Sequence, residues 1–212
     1  MEIVALEHSV PPELITCAVA LLRGGGVAIL PTDTVYGMVC DASNAAAIRR
    51  MFALKKRPKE KAFPVFVRDI PTARRLAYIA DAKARFLERV WPGAVTVLFN
   101  HKGKLPKVLT GGSQKIGMRM PDHPLLRALL DEYAAPLAQT SANTSGAPPA
   151  KTSEEVCAYF PDGGDEPDLF VDAGAIAGAA STIIDYSGNQ TLLVRTGVMS
   201  RERLDELFKS ML

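Results

Sequence analysis

The sequence predicts an α/β protein on a mixed, twisted sheet flanked by helices, and three observations lead there. Apolar runs of strand length alternate with amphipathic stretches of helix length along nearly the whole chain. The strands outnumber what strict strand–helix–strand alternation gives, and the last three apolar runs follow one another closely. A hydrophobic fraction of 48% with 23% charged residues is that of an ordinary globular chain.

In order, helical periodicity over 13–23 leads into a first strand, "GVAIL" (26–30). Residues 44–56 form a helix with Ile48, Met51, Phe52 and Lys55 on one face and Pro58 as its stop. "FPVFV" (63–67) reads as a strand, followed by helices over 72–79 and 81–90 and a strand "AVTVLF" (94–99). "KIGMRM" (115–120) and "APLAQT" (135–140) are strands separated by a helix over 122–133. A helix over 152–159 precedes the late strands "LFVDAG", "STIID" and "TLLVR", and a helix over 199–211 closes the chain. Connections rich in Pro, Gly and Ser fall at 110–114, 141–150 and 161–167. None is long enough for an interdomain linker, so residues 1–212 are expected to form one domain.

Several classes drop out. No run approaches the ~20 apolar residues of a membrane helix, and "MEIVALEHSV" shows no secretory signal. Three scattered cysteines, Cys17, Cys40 and Cys157, suit reduced thiols, and the expected location is the cytoplasm. His8, His101 and His123 stand at no metal-ligand spacing, so no protein-built metal site is expected. There is no P-loop and no G-x-S-x-G elbow.

The charge is uneven. A chain of net charge +2 packs seven cations against one acid in "RRMFALKKRPKEK" (49–61). Cations at a helix C-terminus complement its dipole, which accounts for one or two of them. The remainder point to phosphate binding. Two loops leave apolar strands carrying hydroxyls: "LPTDTVYG" (30–37), where Asp33 and Gly37 suit a tight turn, and "TSANTSG" (140–146). Either can be a plain turn. Arg119 lies inside an apolar strand and Arg195 ends another, while a small-residue loop brings Ser181 and Thr182 to a strand start. Cations, hydroxyls and glycines suit positioning and charge stabilisation around an anionic substrate rather than a protein nucleophile.

Together "LPTDTVYG", "LKKRP", "WPGAVTVLF", "GMRMPDHP", "TSANTSG", the Ser181–Thr182 pair and "LLVRTG" resemble, in order and spacing, the YrdC/TsaC-like threonylcarbamoyl-AMP synthases, over roughly 10–200. The resemblance implies a YrdC-like fold with a basic concave cavity, in the single-domain form. It implies a nucleotidyltransferase that joins L-threonine, bicarbonate or CO₂ and ATP into L-threonylcarbamoyl-adenylate and pyrophosphate. The product would supply tRNA threonylcarbamoyladenosine modification through downstream transfer proteins, with Mg²⁺ held mainly by ATP phosphates and water. By the same resemblance Lys55 and Arg57 are the catalytic cations. Lys55, Arg57, Lys61, Ser141, Asn143 and Arg195, with main chain near Lys115 and Gly117, are expected around the nucleotide. Thr34, Arg119 and Ser181 are expected around threonine, with Arg119 on its carboxylate.

The sequence departs from the family pattern at PTDT in place of the frequent PTET, at Pro149 where longer members have serine, at Phe66 where they have histidine, and at Ala180 in place of glutamate. Competing readings are a YrdC-like double-stranded RNA or tRNA binder without catalysis, a hydrogenase-maturation carbamoyltransferase domain, and a YciO-like paralogue. Against the RNA reading, Phe52 is the only aromatic residue in the cationic run and belongs to its apolar face.

Overall fold

The computed structural model describes residues 1–7, 9–161 and 163–210. The strands are β1 (Glu2–Ala5), β2 (Ala28–Leu30), β3 (Gly37–Asp41), β4 (Val65–Phe66), β5 (Val95–Asn100), β6 (Lys115–Arg119), β7 (Leu137–Ser141), β8 (Leu169–Asp172), β9 (Thr182–Asp185) and β10 (Leu192–Arg195). They join in one sheet in the order β1-β8-β2-β3-β7-β4-β6-β5-β9-β10. The sheet is mixed. Pairs β1–β8, β2–β8, β4–β6 and β5–β9 are parallel, and the other five are antiparallel.

Helices cover both faces because alternate residues of the central strands point to opposite sides. Ala28 and Leu30 of β2, Val39 of β3 and Leu169 and Val171 of β8 meet α1 (Pro12–Arg23) and α6 (Pro124–Tyr133) through Leu14, Leu22, Leu126 and Leu129. Their neighbours Ile29, Met38, Cys40 and Phe170 turn to the larger cluster on the other face. That face takes Ile48, Met51 and Phe52 from α2 (Ala45–Lys55), and Phe86 and Leu87 from α4 (Asp81–Val90). Four further helices complete the chain: α3 (Ile70–Leu76), α5 (Lys107–Thr110), α7 (Ser153–Tyr159) and α8 (Arg201–Lys209).

Two strands lie outside the expected set. β3 carries the short run Met38–Cys40, fully buried, so it shows no alternation and reads as a continuation of the preceding loop. β1 is an edge strand of four mostly exposed residues. The helix expected over 72–79 starts earlier, where the Asp69 side chain accepts from Thr72 N, and stops at Leu76. Beyond it Ala77 turns extended and bridges His101. The closing helix ends at Lys209; residue 211, within its expected range, lies outside the described residues. Among the described residues no helix is long and apolar enough to cross a membrane.

Candidate active site

The site begins at the end of α2. Asn44 starts this helix by accepting from Ala46 N and Ala47 N at 2.9 and 3.1 Å. At its C-terminus Lys56 takes a left-handed conformation, φ 49°. Lys56 N donates to Ala53 O and Arg57 N to Phe52 O, the paired bonds of a Schellman ending. This ending separates three consecutive cations. Lys55 stays on the buried face, Lys56 is thrown into solvent, and Arg57 swings toward a cleft.

The cleft, about 180 Å³, is lined by Thr34, Arg57, Arg119, Ser141, Ser181 and Arg195, together with Val35, Pro64, Thr96, Gln139, Thr140, Pro149, Ala180 and Ile183. Six expected site residues thus meet there from six separate stretches of chain. A larger recess of about 410 Å³ between Met1, Arg50 and 164–168 holds no such group of cations and hydroxyls. There Arg50 binds Asp168 and the Met1 ammonium binds Glu166, whose other carboxylate oxygen is buried without a hydrogen-bond partner among the described residues.

The three guanidinium groups differ in what holds them. Arg57 donates from Nε to Lys61 O at 2.9 Å and from Nη2 to Ala62 O at 3.0 Å, and stacks over Phe63. Arg195 donates from Nε and Nη2 to Ser181 O, and from Nη2 to Ser181 Oγ at 3.2 Å. Neither pairs with a carboxylate among the described residues, and in each Nη1 has no protein partner there. Burial pushes both pKa values down, and for Arg195 the nearby Arg119 charge adds to the effect. Arg119, by contrast, is 3% exposed and ion-paired with Asp33. It also donates from Nε to Gly93 O at 3.0 Å and from Nη1 to Thr34 Oγ1 at 3.1 Å, with Phe66 beneath the guanidinium.

Other expected residues stand behind the cleft. Lys55 is 2% exposed, and its three ammonium N–H groups have three acceptors: Ser141 O at 2.5 Å, Ser141 Oγ at 3.1 Å and Asn143 Oδ1 at 2.5 Å. Burial, reinforced by the Arg57 charge, pushes its pKa down to about 7. Asn143 is saturated as well. Its Oδ1 also accepts from Ser141 Oγ, and its Nδ2 donates to Thr144 O and Ala147 O. Lys55 and Asn143 therefore tie loop 141–147 to the end of α2, and Ser145 N donating to Lys55 O at 2.8 Å closes the tie. Lys61 is exposed, Lys115 pairs with Asp185 at 2.6 Å, and Gly117 lies inside β6 opposite Leu98; none of the three lines the cleft.

The small-residue loop before β9 is explained by close approach. A Cβ on Gly178 would lie 1.8 Å from Thr34 O, so that loop rests on the backbone of the Thr34 turn. Thr182, fully buried, donates to Met199 O and accepts from Gly197 N and Met199 N, which folds the segment after Arg195 back onto β9. Thr96 Oγ1 meets Ser181 Oγ at 3.0 Å and was missed in the sequence reading, though a threonine in "AVTVLF" was a usable signal. Three departures from the family pattern fall at the site: Pro149 and Ala180 line the cleft, and Phe66 underlies Arg119. Among the described residues no cluster of three or more His, Cys, Asp or Glu side chains could hold a metal.

This combination defines a class: an α/β protein with hydroxyls and carboxylate-free guanidinium groups gathered around a cleft suited to an anionic substrate. The family model for Sua5, YciO and YrdC, described as telomere recombination, matches residues 20–197, and the chain belongs to that family. It is 36% identical over 191 residues to a threonylcarbamoyl-AMP synthase of Bacillus subtilis, covering 89% of this chain and 54% of the relative. Against the enzyme of that name from Klebsiella pneumoniae it is 35% identical over 162 residues, covering 74% of this chain and 84% of the relative. Among solved structures, P. abyssi Sua5 complexed with L-threonine superposes with a TM-score of 0.91 at 27% identity, covering 98% of this chain and 61% of that one. E. coli YciO superposes at 0.86 with 25% identity, covering 96% and 99%.

Proposed function

We propose that the protein synthesises L-threonylcarbamoyl-AMP from L-threonine, bicarbonate or CO₂ and ATP, releasing pyrophosphate. The observation carrying this reading is the single cleft shared by Thr34, Arg57, Arg119, Ser141, Ser181 and Arg195. The chain spans about half the length of the B. subtilis relative, so activity, substrates and partners are all part of the proposal.

In this reading the threonine ammonium gives up a proton to solvent, the free amine attacks carbon dioxide, and loss of a second proton to solvent leaves a carbamate. A carbamate oxygen then attacks the α-phosphorus of ATP, and the bond to the β-phosphate oxygen breaks to release pyrophosphate. Charge accumulates on the phosphoryl oxygens and the leaving group. Arg57 and Arg195, without carboxylate partners and each with Nη1 uncommitted, are the groups available to neutralise it. Lys55 acts from behind, holding Ser141 and the loop that follows. Among the described residues no carboxylate lines the cleft, so the protein offers Mg²⁺ no carboxylate ligand there, and the ion would enter on the ATP phosphates. Downstream tRNA-modifying proteins are the proposed acceptors of the adenylate, in a cytoplasmic setting. Exposed Arg49, Lys56 and Lys59 are available for contact with tRNA or double-stranded RNA.

Incubation with ATP, Mg²⁺, bicarbonate and L-threonine should release pyrophosphate only when threonine is present. Equal release with serine, or with no amino acid, refutes the assigned substrate. The near-complete coverage of YciO favours one second reading, a YciO-like paralogue with a different activity or none. That protein would release no threonine-dependent pyrophosphate.

A further inference from the structure

A further recess, of about 400 Å³, opens where the end of α2 meets α5. Phe52, Ala53 and Val108 give it an apolar lining, and Arg49, Lys56, Arg57 and Lys59 surround that lining with charge. Arg57 lines the cleft as well, so the two hollows share a wall, whereas Arg49, Lys56 and Lys59 stand outside the cleft. Among the described residues none of those three cations forms an ion pair, and no carboxylate lines the recess. Glu60, the one acid of the run 49–61, is not among the lining residues.

The fold holds this recess in shape. Phe63 N donates to Leu109 O at 2.9 Å, tying the chain after the cationic run to α5. A Cβ on Gly111 would lie 2.6 Å from Glu60 O, so the turn after α5 rests on the backbone of residues 59–60. Arg57 is fixed by Lys61 O and Ala62 O. A preformed apolar hollow ringed by unpaired cations is complementary to an apolar side chain flanked by acids. RNA fits it less well. A phosphate backbone would use the cations and leave the apolar lining empty. Stacking a base needs an open aromatic face, and Phe52 is 4% exposed, its ring centroid 4.2 Å from that of Phe63.

We infer that this recess docks an acidic segment of a partner protein: one large apolar side chain fills the hollow against Phe52, Ala53 and Val108, while flanking carboxylates meet Arg49, Lys56 and Lys59. This gives a use to three cations that neither reach the cleft nor pair within the fold. Because Arg57 borders both hollows, a docked segment lies one side chain away from the cleft. Docking here requires nothing of the reaction in the cleft, and it can hold or fail independently of that reaction.

Fluorescence anisotropy of the full chain with two labelled peptides, Glu-Glu-Trp-Glu-Glu and Glu-Glu-Ala-Glu-Glu, and with a labelled RNA duplex tests this. The tryptophan peptide should bind about 10- to 100-fold more tightly than the alanine peptide, since only it has an apolar side chain to bury. Ala53→Trp, which fills the hollow without changing charge, should weaken the tryptophan peptide by about 10-fold or more. Lys56→Glu combined with Lys59→Glu should weaken both peptides. Equal affinity for the two peptides, no binding of either, or an unchanged affinity in folded Ala53→Trp overturns the inference. Should that variant fail to fold, the comparison of the two peptides on the wild type decides alone. Tight binding of the RNA duplex without binding of the tryptophan peptide makes this an RNA face and also overturns it. So does self-association in sedimentation that Ala53→Trp abolishes, which would make the occupant a second copy of the chain.

Discussion

At the end of α2 a lysine ammonium is enclosed by three oxygens, with burial and Arg57 lowering its pKa from 10.5 to about 7. Between those pH values an unfolded Lys55 holds a proton that the folded protein has released. The folded state then binds fewer protons, and its stability rises with pH across that window. Lys55→Met deletes the titration, so its stability should depend less steeply on pH. Urea unfolding of both proteins at pH 7 and pH 9 checks this: the wild type should gain on the variant as pH rises, and parallel behaviour rejects the lowered pKa. Arg119 makes a second case. Arg119→Ala should weaken threonine binding by about 10- to 100-fold while sparing ATP, and a reversed pattern in calorimetry would exchange the two ends of the cleft. Both residues were legible as polar groups on apolar faces. Asp33 was not, because in sequence it looks like any turn former, and its partner lies 86 positions away.

At the scale of elements, local rules located most boundaries within a few residues. The helix expected over 44–56 runs Ala45–Lys55, since Asn44 caps one end and the left-handed Lys56 the other. Asn44→Ala should cost about 1 kcal/mol, lowering Tm by about 2–4 °C for a chain of this size. Lys56→Gly should raise stability by about 1 kcal/mol, because glycine adopts φ near 49° without the Cβ penalty. Thermal unfolding measures both changes. The cationic run 49–61 proved to be divided labour rather than one phosphate patch: Arg50 binds Asp168, Lys55 holds a loop, Arg57 reaches the cleft, and Lys59 and Lys61 stay in solvent. Helical rotation by about 100° per residue sends neighbours to different surroundings, which a local charge count ignores. β3 escaped notice for a related reason, as burial on both faces erases the alternation that marks a strand.

For the molecule as a whole, the sheet order performs the assembly. β3 and β7 pair in register from Gly37–Ser141 to Asp41–Leu137, setting the Thr34 turn beside the loop after Ser141. β4 pairs with β6 through Phe66–Arg119, and β5 with β9 through Val95–Thr182, bringing Arg119 and Ser181 toward the same cleft. The loop ahead of β9 fits only if Gly178 stays a glycine. Gly178→Ala should displace the Thr34 turn and abolish threonine binding while the protein remains folded by circular dichroism; unaffected binding would show that the close approach is dispensable. Salt separates the RNA reading from the enzymatic one. Retention of RNA should fall steeply as salt rises, whereas binding of a zwitterion at a charge-balanced site should hardly change.

The amino-acid order alone was enough for the α/β class, the alternation of most strands and helices, and the family to which the chain belongs. Periodicity, capping and ordered motifs are local or collinear properties, and they survive in a one-dimensional reading. Tertiary structure decided which cations face the cleft and which are spent on the fold. It also decided that Arg119 meets Asp33 and the Thr34 hydroxyl. Those outcomes depend on strand register and on a few closely spaced donors and acceptors contributed by distant segments, and hydrogen-bond partners across such separations leave no trace in local sequence.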